Sequence, residues 1–410
     1  MMAPKYAVKA SKAKPDYAAI CNAASGLTVQ KGFNQLGPIT KFEDLLCPAA
    51  SPIPGAELAA EQVFHMIEGW RYASAASNAY LNHSKHTALH FAYYAELRAA
   101  LSLLSWSGIR VRQNAHYYLD VFGNKKTVIH SPTHSAVWGL WKNWVKRPDA
   151  TKLFRDQIKL TTSVSLSNVL TSLQYVDPSK TLQNWGMDLA KIQSDHTARN
   201  TSSYEAFWIN SPLSRMSHDD LDLILMLWKL LLPQDSGLLF DSTLISYFVS
   251  KALPAMTLRM GGTSEDCLKQ IVGAIVTNTG ADPALISRRL DTTQYKTKPF
   301  DLASSQDSKT ENVLCRAFFL LRLSMLATKT SLAVTPNTAT ADWLTNWFEH
   351  AGLWDKKSGV DAYDTNEDYE LALDHFNATP VVLTDLWAQD NLKNTVRLTR
   401  PEACMVWNVI

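Results

Sequence analysis

Seven of the eleven histidines fall between His65 and His134. Within that stretch His86, His90, Tyr94 and Arg98 recur every fourth residue. On a helix of 3.6 residues per turn such a series drifts by about 40° per step, so its ends stand about 120° apart. Imidazole, phenol and guanidinium on one stripe can bind phosphate or another polar ligand and move protons. These four residues are therefore expected to line a polar binding cleft. The plainer alternative is a solvent-facing edge of the helix.

Arg110, Arg112 and His116 form a second constellation. An arginine followed closely by a histidine can support RNA cleavage without a metal. The guanidinium neutralises the scissile phosphate, and the imidazole transfers a proton to or from the 2′-hydroxyl or the leaving oxygen. On a fully extended strand Arg110 and His116 share a face but stand about 20 Å apart, so a bend at Gln113-Asn114 is required for them to meet. His86 and His90 also have the spacing of two metal ligands on one helix face. However, Thr87 occupies the position where an HExxH site has glutamate, and the His130–His134 pair is interrupted by Pro132. No metal and no cofactor are expected.

The run FAYYAELRAALSLLSWSGIRVRQNAH, residues 91–116, resembles the HEPN superfamily of small helical domains. In that family an aromatic- and alanine-rich helix ends in a glycine turn, followed by a basic residue and a histidine. The resemblance covers about 30 residues of the 410. It implies an all-α core, frequent dimerisation, and, in active members, metal-independent ribonuclease action in bacterial antiviral defence or toxin systems. It would make Arg110 the phosphate-binding group and His116 the acid/base. In the family the Arg–His motif lies on a helix, whereas 109–121 here has the pattern of a strand.

Bulk composition narrows the classes. Lys plus Arg is 40 against 38 for Asp plus Glu, a formal net charge of +2, which argues against a protein that coats duplex nucleic acid and leaves room for a local basic cleft. The five cysteines are far apart, and none forms a CxxC pair, so neither a zinc ribbon nor a disulfide framework is supported. A reducing, cytoplasmic setting fits best. Four lysines precede the first acid, Asp16, without the apolar block of a secretory signal. The segment LDLILMLWKLLLP at 221–233 is too short and too charged to span a membrane. Phosphate loops, dinucleotide fingerprints and nucleophile elbows are absent.

The elements needed to position these groups are mostly helical. Periodicity predicts helices from Gly55 to about residue 81 and over 86–106, the second ending before Ser107-Gly108. The period then changes, and 109–130 reads as a β-hairpin or three short strands turning at Gly123-Asn124. Trp138, Trp141 and Trp144 fall on one helix face and are expected to be core, although such a series could also stack bases. From 149 onward the pattern is almost wholly helical. The most apolar helix, starting at Glu311, carries Arg316 and Arg322, which must snorkel or pair with acids. MVWNVI at 405–410 resembles a short strand.

The expected fold is thus mainly α, a multi-helical body with a small β-hairpin insertion near 109–130. Its expected parts are a partly extended arm at 1–54, a main helical domain at 55–306 and a C-terminal helical subdomain at 307–410. Two functions remain open. One is a bacterial defence- or toxin-type protein that acts on or binds nucleic acid, RNA or DNA, with HEPN-like metal-independent RNA cleavage as its chemistry. The other is a non-catalytic adaptor that docks a partner protein from the same system. Homodimerisation is compatible with either, and no membrane partner is expected.

Overall fold

Buried alanines line the most extensive helix–helix contact among the described residues. The Pro54–Leu81 and Lys85–Trp106 helices make it, burying Ala59, Ala73 and Ala76 against Ala88, Ala92, Ala95 and Ala99. Their link is short, and His83 closes it with a φ of 58°, a left-handed conformation in which histidine is enriched relative to most residues. The chain is described here from a computed structural model, over residues 15–34, 36, 54–112, 116–128, 132–173, 189–204, 217–235, 237–291, 297–336, 338–378 and 391–409.

A third long helix, Thr310–Ala333, lies across this pair. The Gln62 amide donates to Thr328 Oγ1 at 3.4 Å and to Ser331 Oγ at 3.3 Å. Ser324 donates to Ser102, which in turn donates to the Gln62 carbonyl at 2.7 Å. Residues on both sides of 307 belong to one buried cluster. Eighteen α-helices are present among the described residues, and the strands form only two- and three-stranded sheets. The protein is mainly α and multi-helical.

The three-stranded sheet is the expected insertion. Ile109–Arg110 pairs antiparallel with Tyr117–Leu119, which pairs with Lys125–Thr127. Its second turn is fixed by Asp120, whose carboxylate accepts from the Phe122 and Asn124 backbone N–H groups at 3.0 and 2.9 Å, with Gly123 at φ 81°. Gln113, Asn114 and His130 lie outside the described residues.

Several local expectations change. The 1–54 arm contains two short helices, Tyr17–Ala23 and Leu27–Phe33, that bury Cys21, Val29 and Phe33 in the core. The 405–410 segment, expected as a strand, falls in the Cys404–Val409 helix up to its last described residue. A short apolar run carries no period that separates the two, and here the run packs on Thr310–Ala333. Two small ribbons, Lys159–Thr161 with Val164–Ser165 and Pro233–Gln234 with Gly237–Leu238, interrupt the helical region, too short to register as alternation. Trp138, Trp141 and Trp144 are core. Among the described residues no helix is long and apolar enough to cross a membrane.

Both arginines of the apolar helix pair with acids. Arg322 donates to the two Asp241 oxygens at 2.9 and 2.5 Å, and also to Asn408. Asp241 is fully buried and Arg322 nearly so, so deleting one partner strands a charge in the core. Arg322→Met is expected to lower unfolding free energy by about 3–5 kcal/mol, and Arg322→Met with Asp241→Leu by clearly less. Urea unfolding checks this; equal losses in the single and double variants would contradict it.

Candidate functional site

Three helices bring imidazole, phenol and guanidinium groups together. The Lys85–Trp106 helix contributes His90, Tyr93 and Tyr94 at helical i, i+3 and i+4 spacing. Thr133–Trp144 contributes His134 in its first turn and Trp138 one turn later. Leu189–Tyr204 contributes His196, Arg199, Asn200 and Ser203, again one helical face. The rings of His134 and His196 stack at 5.1 Å, Tyr93 lies 5.6 Å from His196, and His90 lies 4.9 Å from Tyr94.

Hydrogen bonds fix the roles of these groups. Trp138 Nε1, which can only donate, reaches the Tyr93 hydroxyl at 3.1 Å. Burial raises the Tyr93 pKa well above the ordinary phenol value, so its single proton is retained and is directed to His134 Nδ1, 2.9 Å away. His134 therefore accepts at Nδ1 and carries its own proton on Nε2. Arg199 donates to the Tyr94 hydroxyl at 2.6 Å and to Asn200 Oδ1 at 2.8 Å, and its guanidinium lies 5.1 Å from the Tyr94 ring centroid. Its hydrogen-bond acceptors are a phenol and an amide, so its positive charge faces no carboxylate among the described residues. His90 Nδ1 is 2.8 Å from Ser203 Oγ. His90, His134, His196 and Arg199 are all only partly buried.

The positive charge is felt by the imidazoles. Burial lowers the pKa of all three, and Arg199 lowers each further, with His196 adding to the effect on His134. At neutral pH the cluster is three neutral imidazoles beside one fixed cation. Among the described residues no group of three His, Cys, Asp or Glu side chains is placed to hold a metal ion.

Directly beneath, a buried ionic knot ties the site to the core. Arg316 donates through Nε and one terminal nitrogen to both oxygens of Asp195, at 2.8 and 2.6 Å. Glu96 Oε1 lies 3.6 Å from Arg316 Nε. Burial and the neighbouring Asp195 hold Glu96 protonated, well above its ordinary carboxylate value. The arrangement therefore contains one guanidinium, one carboxylate and one neutral acid. Asp195 immediately precedes His196, so the pair places the catalytic-type groups of its helix over His90 and Tyr94.

The expected residues divide among three places. His90 and Tyr94 join the cluster. His86 sits at the start of the same helix, where its carbonyl accepts from Ser202 Oγ at 2.9 Å. Arg98 has rotated away into a separate cleft, contacting His65 Nδ1 at 3.1 Å and Glu68 at 3.0 Å. Arg110 is buried, with Glu57 at 2.5 Å and Glu61 at 2.6 Å, so its guanidinium is already neutralised. His116 is buried one position from Tyr117, the strand partner of Arg110. Arg112 is exposed and lines the cleft with Arg98. Arg110, Arg112 and His116 are thus not gathered in one open site. His196 and Arg199 were missed by sequence reasoning, although their i, i+3 spacing within DHTARN was visible.

Comparison with known proteins returned no matching family model, no matching curated protein and no matching solved structure.

The depressed imidazoles make a pH prediction. Folded, each binds its proton less readily than when unfolded, so the unfolded chain takes up more protons as pH falls below about 6.5. The cluster's contribution to stability is full above that value and is lost as pH falls through the lower native values. Between about pH 7.5 and 5 the Tm should fall, and the fall should be shallower in a His134→Asn, His196→Asn variant. Comparing the two isolates the imidazoles from Glu96 and Asp195, whose raised values act with the opposite sign. Identical slopes in parent and variant would contradict this reading.

Proposed function

We propose that the protein acts on nucleic acid by metal-independent acid–base chemistry at the His90–His134–His196–Arg199 cluster, with RNA as the substrate class. One observation carries this reading: neutral imidazoles and a guanidinium that faces no carboxylate among the described residues come together on a partly open surface. Arg199 supplies the charge that binds a phosphodiester and stabilises its transition state. A neutral imidazole, His90 or His196, takes the 2′-hydroxyl proton as that oxygen attacks phosphorus. The bond to the 5′-oxygen then breaks, and the proton held by the imidazole goes to this leaving oxygen, giving a 2′,3′-cyclic phosphate and a 5′-hydroxyl. His134 cannot act as base through Nδ1, which already accepts from Tyr93; its Nε2–H serves as a hydrogen-bond donor. The resemblance to HEPN ribonucleases supports the same activity and its antiviral-defence setting, but through a different set of residues from Arg110 and His116.

A second reading, the non-catalytic adaptor, is favoured by a different feature. The hairpin tip exposes Val121 and Phe122 (68% and 85%), and the adjacent Gly123 packs against Thr28, beside exposed Leu27. Such an apolar tip suits docking to a partner protein or to a second copy of the chain.

Incubation of the purified protein with labelled single-stranded RNA in EDTA tests the first reading. Cleavage to cyclic-phosphate ends is expected, falling by about 10²- to 10⁴-fold in His196→Ala and Arg199→Ala. No cleavage by the parent, or cleavage unaffected by both substitutions, would contradict it. An inactive parent whose association with a partner is lost in Phe122→Asp would favour the adaptor.

A further inference from the structure

A cleft of about 480 Å³ opens beside the Arg98 end of the Lys85–Trp106 helix, separate from the imidazole cluster. Its cationic side is formed by Arg71, Arg98 and Arg112, and its apolar side by Phe64, Trp343 and Trp347. The tryptophans stand one helical turn apart on Ala339–His350, and Phe64 meets Trp343 edge-on at 5.7 Å. This volume falls within the range of small-molecule sites and is too small for a folded partner.

The charges in the cleft are not balanced by its own carboxylates. Glu61 is occupied by Arg110 at 2.6 Å. Glu68 is occupied by Arg98 at 3.0 Å, with His65 at 3.7 Å. Burial raises the Glu68 pKa and the His65 hydrogen bond and Arg98 charge lower it, with a net downward shift, so Glu68 stays ionised and satisfied. Arg71 and Arg112 are both exposed and have neither an ion-pair nor a hydrogen-bond partner among the described residues. Arg98 Nε is buried and also lacks a hydrogen-bond partner among them. Two uncompensated guanidiniums match a phosphate monoester, which carries about −1.5 to −2 charge at neutral pH and accepts bidentate hydrogen bonds. Trp343 and Trp347, only 6% and 5% exposed, and the half-buried Phe64 close this side as a narrow apolar wall against which a flat aromatic ring can pack next to that phosphate.

We infer that this cleft binds a nucleoside 5′-monophosphate, with the phosphate between Arg71 and Arg112 and the base against Trp343 and Trp347. The same chemistry is offered by a free mononucleotide and by the 5′-phosphorylated end of a strand. The inference stands apart from the proposed cleavage chemistry, because none of its residues belongs to the imidazole cluster.

Titration of the full chain followed by tryptophan fluorescence and calorimetry tests it, using AMP, adenosine, inorganic phosphate, and one short RNA with and without a 5′-phosphate. Saturable AMP binding at least about tenfold tighter than adenosine or phosphate, lost in Arg71→Gln, Arg112→Gln, supports the cleft with a free nucleotide as ligand. Both arginines are exposed, so this variant should fold. Weak AMP binding, but a preference of at least about tenfold for the phosphorylated strand that the same variant abolishes, supports it with a strand end as ligand. His134→Ala should retain the binding in either case, whatever it does to RNA cleavage. No phosphate-dependent binding in any arm, or binding unchanged in the double variant, overturns the inference.

Discussion

The site depends on one buried ion pair, Arg316 with Asp195. Among the described side chains of the Leu189–Tyr204 helix, the fully buried ones are polar, Asp195 and Ser202. Its described attachments include a set of polar ones. Arg316 holds Asp195 from below, while Ser202, Ser203 and Arg199 bond to the His86 carbonyl, His90 and Tyr94 along the Lys85–Trp106 helix. A helix docked through apolar packing would bury that face. Docked through side-chain hydrogen bonds, it leaves His196 and Arg199 within reach of solvent.

This arrangement also sets the electrostatics. Two acids share one guanidinium, so the second acid, Glu96, holds its proton and the knot as a whole adds no net charge beneath the cluster. Among the described residues Arg199 meets no compensating carboxylate, and its charge, added to their burial, keeps the imidazoles neutral. Arg110 shows the opposite outcome. Glu57 and Glu61, one turn apart on Pro54–Leu81, hold it as a structural cation, and no phosphate can compete without displacing both.

The sequence made some of this visible and concealed the rest for identifiable reasons. Long helices with alanine and leucine at helical spacing read correctly, as did the hairpin, because their periods extend over enough residues. His90 and Tyr94 were legible as a polar stripe. The 40° drift of that stripe then separated Arg98 from them, which the spacing itself implied. What could not be read was pairing across the chain. Whether Arg110 faces a phosphate or Glu61 is decided by residues 49 positions away, and Asp195 meets Arg316 across 121. His196 and Arg199 sit in a polar segment without an apolar period, so nothing local marked that helix as part of a site.

The Arg316–Asp195 pair holds His196 and Arg199 against His90 and His134, keeping the imidazoles neutral. Asp195→Asn tests it cleanly. Glu96 can then ionise and satisfy Arg316, but Glu96 belongs to the Lys85–Trp106 helix, so the tie to Leu189–Tyr204 falls from a bidentate ion pair to at most one hydrogen bond to the amide oxygen, without a bare charge in the core. NMR titration of the imidazole protons is the direct measurement. In the parent, His90, His134 and His196 should titrate below about 6.5, and in a folded Asp195→Asn variant they should return towards that value. Ordinary titration of the three in the parent, or depressed values unchanged in the variant, would contradict the account.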